Sequence, residues 1–189
     1  MSEQNRVQLD FEGATKRAFV FLNERGFLTV EALPTLVRYQ QDDVEVAVHH
    51  GRLSYEIGAV ISYLGHQYAL AEIVRAVDPD AAARCGNLIA STTQGVSVAL
   101  EELGSLLKRY GASAVRGDPH FFSTLEEKRK VWVEEYWLDG LARQVRPQAE
   151  EAFRLGDYTK AAELYSRFRS RLSSVEAKKL EFAEGRAKR

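Results

Sequence analysis

The sequence predicts an α+β protein: an N-terminal helix and a three-stranded antiparallel meander packed against a mainly helical C-terminal two-thirds. Two observations predict it. Residues 36–61 alternate apolar and polar side chains, as a strand with one buried face must. From Tyr68 onward almost every apolar run instead recurs at three to four residues, the helical period. The composition, 45% hydrophobic and 28% charged over 189 residues, is that of a chain able to bury roughly two-thirds of its unfolded surface.

Phe11, Ala14, Ala18, Phe21 and Leu22 fall at helical spacing, with Arg25 in the last turn and Gly26 where a left-handed cap belongs, so a helix is expected over about residues 10–25. Phe27 follows the glycine where a Schellman motif places an apolar contact back onto the helix. After Pro34, three alternating runs, Leu36 to Gln40, Val44 to His49 and Leu53 to Ile57, are separated by Asp42-Asp43 and by His50-Gly51-Arg52, and form the meander. Alternation places Val37, Tyr39, Val44, Val46, Val48, Leu53, Tyr55 and Ile57 on a core face and leaves Arg38, Glu45, His49 and Glu56 on a wet one. Three strands with one apolar face require helices to cover it.

A helix is expected from about Gln67, carrying Leu70, Ile73, Val74 and Val77, and ending at Asp78-Pro79. Asp78 as N-cap with Pro79 at the first helical position starts the next segment. Over residues 81–110 the stripe Ile89, Val96, Leu100, Leu103, Leu107 and Tyr110 fits a long helix, broken near Gly86 or Gly95. Ser123 to Glu126 and Thr124 to Glu127 are overlapping capping boxes that place a helix start. Val133, Trp137, Leu141 and Val145 follow every four residues, broadened by Trp132 and Tyr136, so both tryptophans are expected as core anchors. Pro147, costing ~3 kcal/mol in a helix interior, predicts a kink or a restart. The division expected is residues 1–77, the helix and meander, and residues 78–189, the helical part, together one compact unit.

Ala149, Phe153, Leu155-Gly156-Asp157-Tyr158, Ala161 and Tyr165 resemble a single tetratricopeptide repeat unit over residues 147–172. The resemblance implies two antiparallel helices, with small residues at their approach and aromatics between them. Phe168 stands where that family usually has a small residue, and Ser173 where it often has proline. A lone unit cannot stack into a solenoid, so a docked helical hairpin is expected. Ser173 to Glu176 then caps a final helix reaching about Lys188.

Composition bounds the chemistry. No run approaches the ~18 apolar residues of a membrane span, and Met1 to Arg6 lead into mixed polarity rather than a signal-peptide core, so a cytoplasmic protein without a membrane partner is expected. Cys85 is the only cysteine, which excludes an intrachain disulfide and a cysteine-rich zinc site and leaves a buried, inert thiol as the expectation. Net charge is −5 over residues 1–80, zero over 81–160 and +4 over 161–189. The basic tail is interleaved with Glu163, Glu176, Glu181 and Glu184, a solvated pattern that disfavours nucleic acid.

No catalytic signature emerges. His49 and His50 are adjacent on a strand and point to opposite faces, and His66 and His120 lack a ligand-spaced partner, so no metal is expected. The carboxylate pairs Glu101-Glu102, Glu126-Glu127 and Glu134-Glu135 fit helix surfaces or first turns, and Asp42-Asp43 fits a strand turn. Gly95-Val96-Ser97 and Gly104-Ser105 lie in helical stripes rather than nucleophile elbows, and residues 111–117 lack the Gly-Lys-Ser/Thr ending of a phosphate loop. No cofactor is expected either.

The candidate surface is therefore the wet face of the sheet: Arg38, Glu45, His49 and Glu56, flanked by Asp42 and Asp43. Cross-strand charge pairing worth ~0.2–1 kcal/mol per pair is the structural account; docking of a basic protein partner is the functional one. Phe21-Leu22, Gly26-Phe27, Val37 and Tyr39, Val44 and Val46, Tyr55-Glu56-Ile57, and Tyr68, Leu70 and Ile73 together resemble uncharacterised bacterial domains of immunity-protein type over residues 11–77. That resemblance implies a non-catalytic protein that neutralises a toxin or regulates a partner. The alternative is a small-molecule binder or an enzyme with a pocket between the sheet and the aromatic helix of Trp132 and Trp137.

Overall fold

A computed structural model describes residues 8–187. The chain forms two compact units, Met1–Leu125 and Glu126–Arg189, rather than dividing near residue 77. The helices that follow the meander supply the cover its apolar face needs, so they belong to the first unit.

In that unit, α1 (Phe11–Ala18) and α2 (Val20–Glu24) precede five strands: β1 (Leu28–Leu33), β2 (Leu36–Gln41), β3 (Val44–His50), β4 (Glu56–Tyr63) and β5 (His66–Ala69). Then come α3 (Leu70–Val77), α4 (Pro79–Arg84), the short β6 (Leu88–Ile89), α5 (Thr93–Tyr110) and α6 (Ala112–Val115). The sheet is antiparallel in the order β1-β2-β3-β4-β5, with β6 also on β4. The α+β class holds, with six strands among the described residues where three were expected.

The expected first helix divides at Phe19, whose buried ring stacks on Tyr39. Thr15 contributes to the break: its hydroxyl donates to the Phe11 carbonyl at 2.7 Å, a back-bond that bends helices. The C-terminal cap is as expected. Gly26 has φ +96°, its N–H donates to the Asn23 carbonyl, and the N–H of buried Phe27 donates to Leu22, completing the Schellman pair.

Val37, Tyr39, Val44, Val46 and Val48 face the core as alternation requires. The third strand is shifted. Leu53, Ser54 and Tyr55 form a loop instead, with Leu53 95% exposed and Tyr55 at φ +55°. His50 pairs with Ile57, and the Gly51 N–H donates to the Glu56 carbonyl at 2.7 Å, so the hairpin register starts three residues later than expected. Ile57, Ala59 and Ile61 then become the inward set of β4, closed against β5 through the two-residue turn Leu64-Gly65, both at positive φ.

The next helix starts at Leu70, where Glu72 accepts from the Ala69 N–H. Asp78 caps α4 as expected, accepting from the Ala81 N–H at 2.8 Å. The long stripe breaks near Gly86: β6 intervenes, and Thr92 caps α5 through the Gly95 N–H. Leu70, Ile73, Val74, Val96, Leu100, Leu103 and Leu107 are buried with the sheet's inward residues.

The helix α7 (Pro119–Arg154) is 36 residues long and starts earlier than its capping boxes imply. Asp118 accepts from the N–H groups of His120 and Phe121, with Pro119 at the first position, while Thr124 lies inside the helix and donates to the His120 carbonyl. Phe122 stacks on Tyr63 at 4.3 Å between centroids. No restart occurs at Pro147; the helix runs through it.

In the second unit the end of α7 packs with α8 (Tyr158–Ser166), a 3-10 turn (Arg169–Arg171) and α9 (Ser174–Ala187). Ala149, Ala161, Tyr165 and Phe168 are completely buried there, so Phe168 serves as core. Phe153, Tyr158 and Phe182 form an edge-to-face cluster. Ser173 and Glu176 make the expected capping box in both directions. The expected end near Lys188 lies outside the described residues.

Candidate functional site

The six residues singled out on the sheet do not gather into one patch. Arg38 sits on β2 between Glu31 of β1 and Ala47 of β3. Its guanidinium forms a tight ion pair with Glu31 at 2.6 Å, outside hydrogen-bonding angles, and lies 3.6 Å from Glu45. Glu31 and Glu45 are therefore partly neutralised within the protein. Cross-strand pairing, the structural account, is what Arg38 and Glu45 do.

Asp42 and Asp43 form the two-residue turn between β2 and β3, with Asp42 at φ +48°, a conformation that Asp tolerates. They line an open cavity of about 630 Å³ with Arg25, Arg116 and Tyr63. Arg25 lies over the Phe21 ring and Arg116 donates to the Ser113 hydroxyl; among the described residues neither makes an ion pair. Sequence reasoning missed both arginines, since nothing in their spacing connects them to the turn.

His49 and Glu56 lie at the other end of the strands, roughly 20 Å from the turn at ~3.3 Å per residue. The two histidines diverge as expected: His50 is buried, its Nε2 2.9 Å from the Ala90 carbonyl and its ring on Phe11, whereas His49 is half-exposed. The His49 ring lies across Gly58, where an added Cβ would come within 2.8 Å of it. His49 and Glu56 help line a second cavity, of about 250 Å³. Cys85 lines the same cavity and is half-exposed, which corrects the expectation of a fully buried thiol. Neither of these two cavities is lined by Trp132 or Trp137. Among the described residues no cluster of three His, Cys, Asp or Glu could hold a metal ion, and no helix is long and apolar enough to cross a membrane.

The expected core role of the aromatic stripe on α7 is also corrected. Val145 is buried and Leu141 packs on the core of the second unit, but Val133, Tyr136 and Trp137 are 69%, 76% and 61% exposed. Glu135 and Asp139, on another side of the helix, approach Arg171 at 3.9 and 2.8 Å. The period predicted a face, but Val133, Tyr136 and Trp137 on it stay exposed while Trp132 is half-buried. In the basic tail Arg169 pairs with Glu184 of the tail itself, whereas Arg171 and Lys179 pair with Asp139 and Glu150 of α7. Comparison with protein-family models, curated proteins and solved structures yields no match.

Proposed function

We propose that the chain is a non-catalytic protein-interaction module, of the regulatory or immunity type that its resemblance over residues 11–77 implies. The exposed Val133, Tyr136 and Trp137 on α7 carry the reading. Aromatic side chains left together in water mark protein contacts, because tyrosine and tryptophan contribute much of the binding energy when an interface desolvates them. The sheet face contributes less than its sequence suggested, since Arg38 already holds Glu31 and Glu45; Asp42 and Asp43 remain as the acidic contact for a basic partner.

The test is co-purification from the native host with wild-type protein, a Tyr136→Ser/Trp137→Ser variant and an Asp42→Arg/Asp43→Arg variant, each checked for an unchanged melting temperature. The reading expects a stoichiometric partner that the first variant loses and the second binds more weakly. A partner held equally by all three proteins, or none with the wild type, overturns it.

A further inference from the structure

The outer edge of β4 is covered in two pieces. β6 pairs with Glu56 and Ile57, β5 pairs with residues 60–63, and Gly58 and Ala59 between them have no strand partner on that edge among the described residues. The Tyr55 carbonyl accepts from the Ala90 N–H on the same side at 3.0 Å, so alternation turns the peptide groups of Ile57 and Ala59 toward it as well. The chain leaves the edge at Ala69 to form α3 and α4 and returns at Leu88, and the 250 Å³ cavity opens over the break.

Its walls are apolar: Ile57, Ala59, Leu70, Val74 and Leu103 are all buried residues. The lining contains no lysine or arginine, while Glu56 brings a carboxylate, His49 an imidazole and Asn87 a carboxamide. Glu56 is exposed and among the described residues makes no ion pair, and the absence of a side chain at Gly58 lets the His49 ring lie across the strand beside it. A dry cavity of ~150 Å³ holds benzene. This one suits a ring with a short side arm, whose cationic head would meet acceptors and no competing cation.

We propose that this cavity binds a small primary amine with a compact aromatic or branched aliphatic body, its body between β4, α3 and α5 and its ammonium at Glu56. The site is distinct from the α7 stripe and shares no residue with it. Cys85, the only cysteine, lies in the wall and reports occupancy directly.

The experiment follows thiol labelling of Cys85 in the full chain, with phenethylamine as probe and 3-phenylpropionate as the same body with the opposite charge, alongside amide chemical-shift mapping. Labelling is expected to slow saturably, by about tenfold when the amine stands at ~10 times its dissociation constant. Shifts are expected to centre on Ala59, Ala71 and Asn87. Glu56→Gln should weaken the amine about tenfold, the loss of one charge-assisted hydrogen bond, with an unchanged amide spectrum elsewhere. Equal protection by the carboxylate, shifts centred away from these residues, or neither protection nor shifts at the solubility limit of the amine overturns the proposal.

Discussion

Arg146 on α7 and Glu176 on α9 are joined at 2.6 Å, Nε to Oε1, with the glutamate almost wholly buried and the arginine partly exposed. The second carboxylate oxygen of Glu176 accepts from the Ser173 N–H at 2.7 Å, and Arg146 also donates to the Arg171 carbonyl. One side chain thus caps α9 and ties it to α7. Burial raises the Glu176 pKa, but the Ser173 and Arg146 hydrogen bonds outweigh it and hold the carboxyl below its ordinary value of 4.5. A depressed carboxylate stabilises the fold above its unfolded pKa and loses that contribution as pH falls through the folded one. Glu176→Gln should therefore cost ~1–3 kcal/mol near neutrality, and the gap from wild type should close in acid. Urea titrations at neutral pH and below about pH 4 measure both.

Tyr39 sets the opposite limit. Its buried ring stacks on Phe19, its hydroxyl reaches the Thr15 carbonyl only at 3.5 Å, and burial pushes its pKa from 10.0 to about 12. Above pH ~10 the unfolded state gives up the proton before the folded state does, so stability should fall as pH rises from about 10 to 12. Tyr39→Phe should cost under ~1 kcal/mol near neutrality and flatten the alkaline fall, as thermal unfolding across that range would record.

Gly104 and Gly140 are both helical glycines with opposite surroundings. A Cβ at Gly104 would lie 2.9 Å from the Ala18 carbonyl oxygen, where α5 meets the end of α1, whereas one at Gly140 would meet nothing within 4 Å. Gly104→Ala should destabilise by ~1–3 kcal/mol despite its gain in helix propensity. Gly140→Ala should stabilise by up to ~1 kcal/mol, and denaturant midpoints of the two variants should move in opposite directions.

The parts of this fold legible in the sequence are those that local chemistry decides. Gly26-Phe27, Asp78-Pro79 and Ser173 with Glu176 are caps built from neighbouring residues, and each forms as expected. β2 and β3 are legible because Val37, Tyr39, Val44, Val46 and Val48 bury one face only. β1 escaped notice because it is an edge strand with no buried residue, so its apolar and polar positions carry no contrast. β4 was misplaced because the pairing of His50 with Ile57, rather than the alternation that begins at Leu53, sets its register. The second cavity was beyond reach altogether: His49, Val74, Cys85 and Leu103 meet through tertiary packing, which spacing along the chain cannot report.

Asp118 and Ser123 give competing accounts of where α7 begins. Ser123 satisfies the capping-box spacing to Glu126, but the helix starts at Pro119 and places Ser123 in its interior, exposed. Asp118 instead receives two N–H donors, His120 at 3.0 Å and Phe121 at 3.3 Å, and a carboxylate there also complements the helix dipole. The Asp-Pro pair prevails because proline is pre-organised for the first helical position and lacks the N–H that would need a cap. Asp118→Ala should then cost ~1 kcal/mol and speed amide exchange in the first turn, where the buried Phe122 stacks on Tyr63. Ser123→Ala should leave both measurements within ~0.5 kcal/mol of wild type, as an exposed substitution away from any cap does. The reverse order would mean that the helix begins at its capping boxes and that residues 119–122 fray.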